Sequence, residues 1–216
     1  MKTDSQLQKD VMEELAWEPS IDHAAIGVAV ANGIVTLTGF VKTFAEKIAA
    51  EKAVKRVKGV RGLAEEMKVR FASDPKTSDA EIAKRIVDIL AFDVTVPDDK
   101  ISVKVEHGWV TLTGTVDWHY QRQAARNDAG RVTGVLGVSN LIEVAKLPTA
   151  FDVKDRIVQA FKRAADTDAS AINVVTDGGL VRLGGTVHSF HERQVAERAA
   201  WAAPGVTRIE DNIVIA

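Results

Sequence analysis

One heptapeptide recurs three times along this chain, and the repeat constrains the fold more than any other feature. The copies are Gly33-Ile-Val-Thr-Leu-Thr-Gly39, Gly108-Trp-Val-Thr-Leu-Thr-Gly114 and Gly179-Leu-Val-Arg-Leu-Gly-Gly185, starting 75 and then 71 residues apart. The same offsets carry Gly59 to Gly134 to Gly205, and Ile26 to Ile101 to Ile172. The register holds without a gap from Leu7 to Val69, from Ile82 to Val144 and from Val153 to Ile215. A fixed internal period of this kind marks one supersecondary unit used repeatedly. The boundaries that follow are residues 1–71, 77–146 and 148–216, with connectors around Pro75 and Pro148.

Each copy opens on a helix-start signal. Thr3, Ser78 and Thr149 are followed three residues later by Gln6, Glu81 and Asp152, the spacing of a capping box. Apolar residues then recur at helical spacing: Leu7, Val11, Leu15; Ile82, Ile86, Leu90; Val153, Ile157, Phe161. An alternating stretch follows, led by Ile26, Val28 and Val30 in the first copy. It ends at Asn32-Gly33, His107-Gly108 or Gly178-Gly179, pairs suited to a two-residue hairpin. After the second strand, Thr43…Glu46, Trp118…Gln121 and Ser189…Glu192 start another helix, with small residues such as Ala50, Ala125 and Ala196 on its buried face. Gly59, Gly134 and Gly205 close it, and a third strand ends the unit.

The order α-β-β-α-β predicts an α+β fold: three tandem modules, each a three-stranded mixed sheet with two helices on one face and β3 parallel to β2. The other sheet face lacks a cover. Modules near this size are marginal alone, so the expectation is that they pack on one another, with Ile34, Trp109 and Leu180 on the open faces as contact candidates.

Charge matters next because it limits partners. The 28 basic and 30 acidic residues leave a net charge of −2, so no global attraction to a phosphate backbone exists, and nucleic acid is not an expected partner. Cysteine is absent, which removes thiolate metal sites. Charges interrupt the first 20 residues, and no later run approaches a membrane span. This predicts a cytoplasmic chain without a transmembrane segment, or a periplasmic one if a leader was removed.

The heptapeptide and its copies, with Gly59-Val-Arg-Gly-Leu, Gly134-Val-Leu-Gly-Val, Gly205-Val-Thr-Arg-Ile and the tail Val138–Val144, resemble the BON domain (bacterial OsmY and nodulation). The likeness covers nearly the whole chain. The third copy departs, with Arg182 and Gly184 where the others have Thr. The resemblance implies a non-catalytic binding or interaction protein, tied to osmotic or envelope stress. It also implies, as alternatives, a phospholipid headgroup or a monovalent cation such as potassium as ligand. No lipobox or LysM-like segment accompanies the modules, so neither ligand transfers residue by residue.

Function must then lie where the copies differ. Trp118-His119-Tyr120 is the one aromatic cluster, at the start of the second helix, with Phe44 and Phe190 among its equivalents; Trp201 replaces Lys55 and Gly130. These six residues are the candidate interaction surface for a protein partner or a lipid headgroup layer, against the alternative of packing on a neighbouring module. Lys47, Arg122 and Arg193 recur at one helix position and read either as a basic row toward phosphate or as a solvated helix face with interleaved acids. His188 and His191 straddle a strand-to-helix junction and lack a third ligand, so no metal is expected. The glycine runs match neither a P-loop nor a dinucleotide fingerprint and read as turn glycines. No nucleophile, base and orienting group assemble, so no enzymatic activity and no cofactor are expected.

Overall fold

The computed structural model describes residues 2–71, 78–145, 153–164 and 172–215, apart from the side chains of 161, 162 and 164. The connectors around Pro75 and Pro148, the Thr149/Asp152 cap and the Phe161 side chain fall outside these. The fold is α+β in three repeated modules. The first runs α1 (Asp4–Trp17), β1 (Ile26–Ala31), β2 (Ile34–Val41), α2 (Phe44–Arg56), β3 (Gly62–Glu65) and β4 (Lys68–Val69). The second repeats this as α3 (Asp79–Phe92), β5 (Ile101–Glu106), β6 (Trp109–Val116), α4 (His119–Arg131), β7 (Gly137–Asn140) and β8 (Glu143–Val144). The third is α5 (Val153–Ala164), β9 (Ile172–Asp177), β10 (Leu180–Val187), α6 (Phe190–Trp201) and β11 (Arg208–Ile215), whose last strand is continuous.

In every sheet the middle strand pairs antiparallel with the hairpin partner before it and parallel with the strand after the helix. Alternation decides which face is covered. Val35, Leu37 and Val41 of β2 are buried under Leu7, Val11 and Leu15 of α1 and Ala50, Ala53 and Val54 of α2. The second core repeats this with Val110, Leu112 and Val116, and the third with Val181, Leu183 and Val187. Each such side chain contributes about 1.5–3 kcal/mol before entropy is subtracted.

The caps form, with one change. The Ser78 hydroxyl accepts from Glu81 N–H while the Glu81 carboxylate accepts from Ser78 N–H, a full capping box. Thr3 makes only the hydroxyl half, to Gln6 N–H. In the second helices the Thr43 and Ser189 hydroxyls accept from Glu46 and Glu192 N–H. The carboxylates, however, reach one residue further back, to Lys42 N–H and His188 N–H. Glu46 also takes Asp22 N–H, so its carboxylate, though buried, is satisfied by backbone donors and fastens the approach to β1.

The closing glycine of the heptapeptide is not a turn glycine. Gly39 and Gly114 sit inside β2 and β6 with φ of 108° and 139°. A Cβ there would lie 2.2 Å from the Ala25 carbonyl oxygen or 2.1 Å from that of Lys100. Close approach of the preceding 3-10 turn, together with left-handed φ, makes these positions glycine. The hairpins themselves behave as read: Asn32 and Gly33, then His107 and Gly108, take positive φ at both turn residues. In the third turn only Gly178 does.

Candidate functional site

The expectation that modules meet through their open sheet faces is overturned. Ile34 and Trp109 remain 50% and 53% exposed. The modules instead meet through their second helices, α2 packing on both α4 and α6. The reason is size matching at two repeat positions, the first residue of the helix and the residue eleven further on. Phe44, at the start of α2, is 8% exposed and belongs to the second module's core. It lies over Gly130, where an added Cβ would come 3.1 Å from its ring. His119, at the start of α4, stacks on Trp201 near the end of α6, with centroids 4.0 Å apart and planes 10° off parallel. Phe190, at the start of α6, is half-buried against the cores of both its own module and the first. First meets second, second meets third, and third returns to first.

The six aromatic candidates therefore divide. Phe44, Phe190, His119 and Trp201 are engaged in these seams, Trp118 is half-buried, and Tyr120 is 57% exposed. The basic row also has an internal task. Lys47 pairs with Glu65 at 2.7 Å and donates to the Met67 carbonyl. Arg122 donates to the Asn140 carbonyl, and Arg193 pairs with Asp211 at 2.5 Å. Glu65, Asn140 and Asp211 also accept from the backbone N–H two residues on. The row ties each second helix to its own third strand, and neither reading from sequence anticipated this.

Sequence reasoning also missed the helix-to-hairpin clamp. Asp4 accepts from Asn32 and Gly33 N–H at 2.8 and 3.0 Å. Asp79 accepts from His107 and Gly108 N–H at 2.7 and 2.9 Å, and those backbone donors hold its carboxyl below the usual range. The one available signal was the acid directly after the cap in both copies.

The seams perturb their titratable groups. Burial, with the nearby Arg122 charge, pulls the His119 imidazole down to about 4. Burial pushes Glu197 up to about 7, helped by a hydrogen bond with Asp211 and opposed by Arg193 and by Lys55 of the first module. Burial works against ionised Asp211, but hydrogen bonds from Glu197, Ile213 N–H and Arg193 carry it below its ordinary value. Burial also raises Asp128, followed by its hydrogen bond with Asp93; its Oδ2 lacks a partner among the described residues. His188 lines a cavity of about 670 Å³ between the first and third modules, shared with Lys2, Lys58, Arg61 and Ile215. Among the described residues no group of three or more His, Asp or Glu is placed to hold a metal ion, and no helix is long and apolar enough to cross a membrane.

A tandem array of αββαβ modules, closed on itself through the second helices, is the class these features define. Three matches to the BON domain model, over residues 3–70, 78–146 and 149–216, fix the family: the chain belongs to the BON-domain proteins. It is similar to the osmotically inducible protein Y of Escherichia coli strain K12, 32% identical over 141 residues, covering 63% of this chain and 70% of that protein. Two solved structures of CdsD, a structural protein of the type III secretion system of Chlamydia trachomatis, align over 96% and 100% of this chain and 91% and 100% of theirs. Both are 14% identical with a TM-score of 0.26, too low to bear on module arrangement.

Proposed function

We propose that this chain is a non-catalytic interaction protein of the osmotic-stress response, which uses its three outward sheet faces as a composite binding platform. BON domains are binding modules, and the related Escherichia coli protein is osmotically inducible. One observation carries the reading. The second helices are spent on module-to-module packing, while the uncovered faces of the first two sheets present Ile34 and Trp109 half to solvent. Trp109 is held in place, its Nε1–H donating to the Ser139 hydroxyl at 2.9 Å with the ring lying over Gly137. A large, rigid aromatic with one polar edge is the residue type that anchors protein interfaces.

The test is affinity purification from osmotically stressed cells with protein and lipid analysed together. The expected result is a protein partner lost on Trp109→Ala and kept on Tyr120→Ala. Recovery of the chain alone under stress, or a partner indifferent to both Ile34→Ala and Trp109→Ala, would refute the platform. Sedimentation with anionic liposomes separates this reading from headgroup binding. A melting temperature raised by potassium and not by matched sodium separates it from cation binding.

A further inference from the structure

We propose that the seam between the first and second modules is a binding site for a small phosphate-bearing anion. A crevice of about 210 Å³ opens between α2 and α4. Its charged lining is Lys52 from the first module and Arg126 and Arg131 from the second, with no carboxylate. Lys52 and Arg126 make no hydrogen bond or ion pair among the described residues. Arg131 pairs with Asp128 at 3.6 Å, a carboxylate that is not itself part of the lining. Lys52 and Arg126, from two packed modules, thus share one concavity with no counter-charge of their own, and the paired Arg131 adds a third cation to the lining. Like charges gathered at an interface oppose its closure until an anion enters.

The second module departs from its siblings here. The Arg126 position is Glu51 in the first module, 3.6 Å from Lys55, and Glu197 in the third, 4.0 Å from Arg193. Two copies place an acid beside a cation, while the copy facing Lys52 places an arginine of intermediate exposure. Guanidinium forks match phosphate oxygens in a bidentate way, and lysine adds a point charge. The volume equals the share of about seven liquid waters, enough for a phosphate group with a short organic stem. Phe44 and Ile48 supply an apolar wall for that stem. A free phosphate ester and a lipid headgroup both carry this chemistry.

The experiment uses the full chain in phosphate-free buffer, titrated with inorganic pyrophosphate at ionic strength fixed by sodium chloride. Melting and calorimetry are both read. The wild type is expected to melt several degrees higher with pyrophosphate than with matched chloride. Arg126→Glu, which gives Lys52 a partner, is expected to melt no lower than wild type without pyrophosphate and to lose the response. Should that variant fail to fold, Lys52→Gln serves in its place, with an expected tenfold or greater weakening of the calorimetric Kd. A wild type that answers pyrophosphate no more than chloride overturns the site, and so does a folded Arg126→Glu or Lys52→Gln that responds as wild type does. Phosphatidylglycerol vesicles identify the source. Retention lost on Arg126→Glu assigns the phosphate to a membrane, and pyrophosphate binding without retention assigns it to a soluble ester.

Discussion

Phe44→Ala tests the closed arrangement where it is most exposed to failure. Phe44 lies in the first module's sequence but in the second module's core, so its loss leaves the first core's residues in place. Alanine is the better helix former, so α2 itself does not suffer. A phenylalanine buries roughly 150–250 Å², of which alanine keeps a small part. At about 25 cal/mol per Å² the loss is on the order of 3 kcal/mol, at the lower end of core Phe→Ala substitutions because a seam relaxes more readily than a core. For a chain of this length unfolding as one unit, that lowers the midpoint by about 6–12 °C. It also removes the main apolar tie between the first two modules. Differential scanning calorimetry is therefore expected to show one transition in the wild type and a split, lower one in Phe44→Ala. Tyr120→Ala, on an exposed side chain, serves as the control. A single Phe44→Ala transition within about 1 °C of wild type would show that the modules are not coupled through this residue.

Three further outcomes are expected. Gly114→Ala forces a side chain into left-handed φ against the Lys100 carbonyl, with an expected loss above about 2 kcal/mol in urea unfolding; a loss below about 0.5 kcal/mol would contradict the close approach. His119 is held near 4 against 6.5, so below pH 6.5 the unfolded chain takes up a proton that the folded chain refuses. Stability should fall between pH 6.5 and about 4, and His119→Gln should remove that slope, whereas an imidazole titrating near 6.5 by NMR would deny the burial. Glu197 acts with the opposite sign. Raised from 4.5 to about 7, it contributes stability below pH 4.5 that is lost as pH rises to about 7, so Glu197→Gln should flatten the denaturation midpoint across that window.

The modules were legible from sequence because everything that builds one is local or nearly so. The Ser78…Glu81 box, the Asn32-Gly33 turn and the Leu7-Val11-Leu15 stripe each declare themselves within a few residues. Packing on a neighbouring module was one of the two readings open for the aromatic residues, but the pairing within the seams was not legible, because each joins residues from different copies. Phe44 and Gly130 carry meaning only as a pair: a large ring opposite an absent side chain. Trp201 was visible as a departure from Lys55 and Gly130, but its partner His119 lies 82 residues away. The basic row misled because helical position gives proximity to solvent and to a neighbouring strand equally. Only the third strand's Glu65, Asn140 and Asp211 decide which one Lys47, Arg122 and Arg193 meet. Gly39 misled for a related reason. A glycine closing a strand motif reads as a turn, while the true demand comes from the Ala25 carbonyl across the sheet.

Because the third module returns to the first, the arrangement has a cyclic order and no privileged beginning. Lys2 and Ile215 line the same cavity, so the two ends of the described path are brought to one place. A circular permutant opened between the first and second modules, with residue 215 joined to residue 2 by a short flexible bridge, would preserve all three seams. The chain's reading direction is thus a convenience of synthesis, and the assembled object is invariant to where the reading starts.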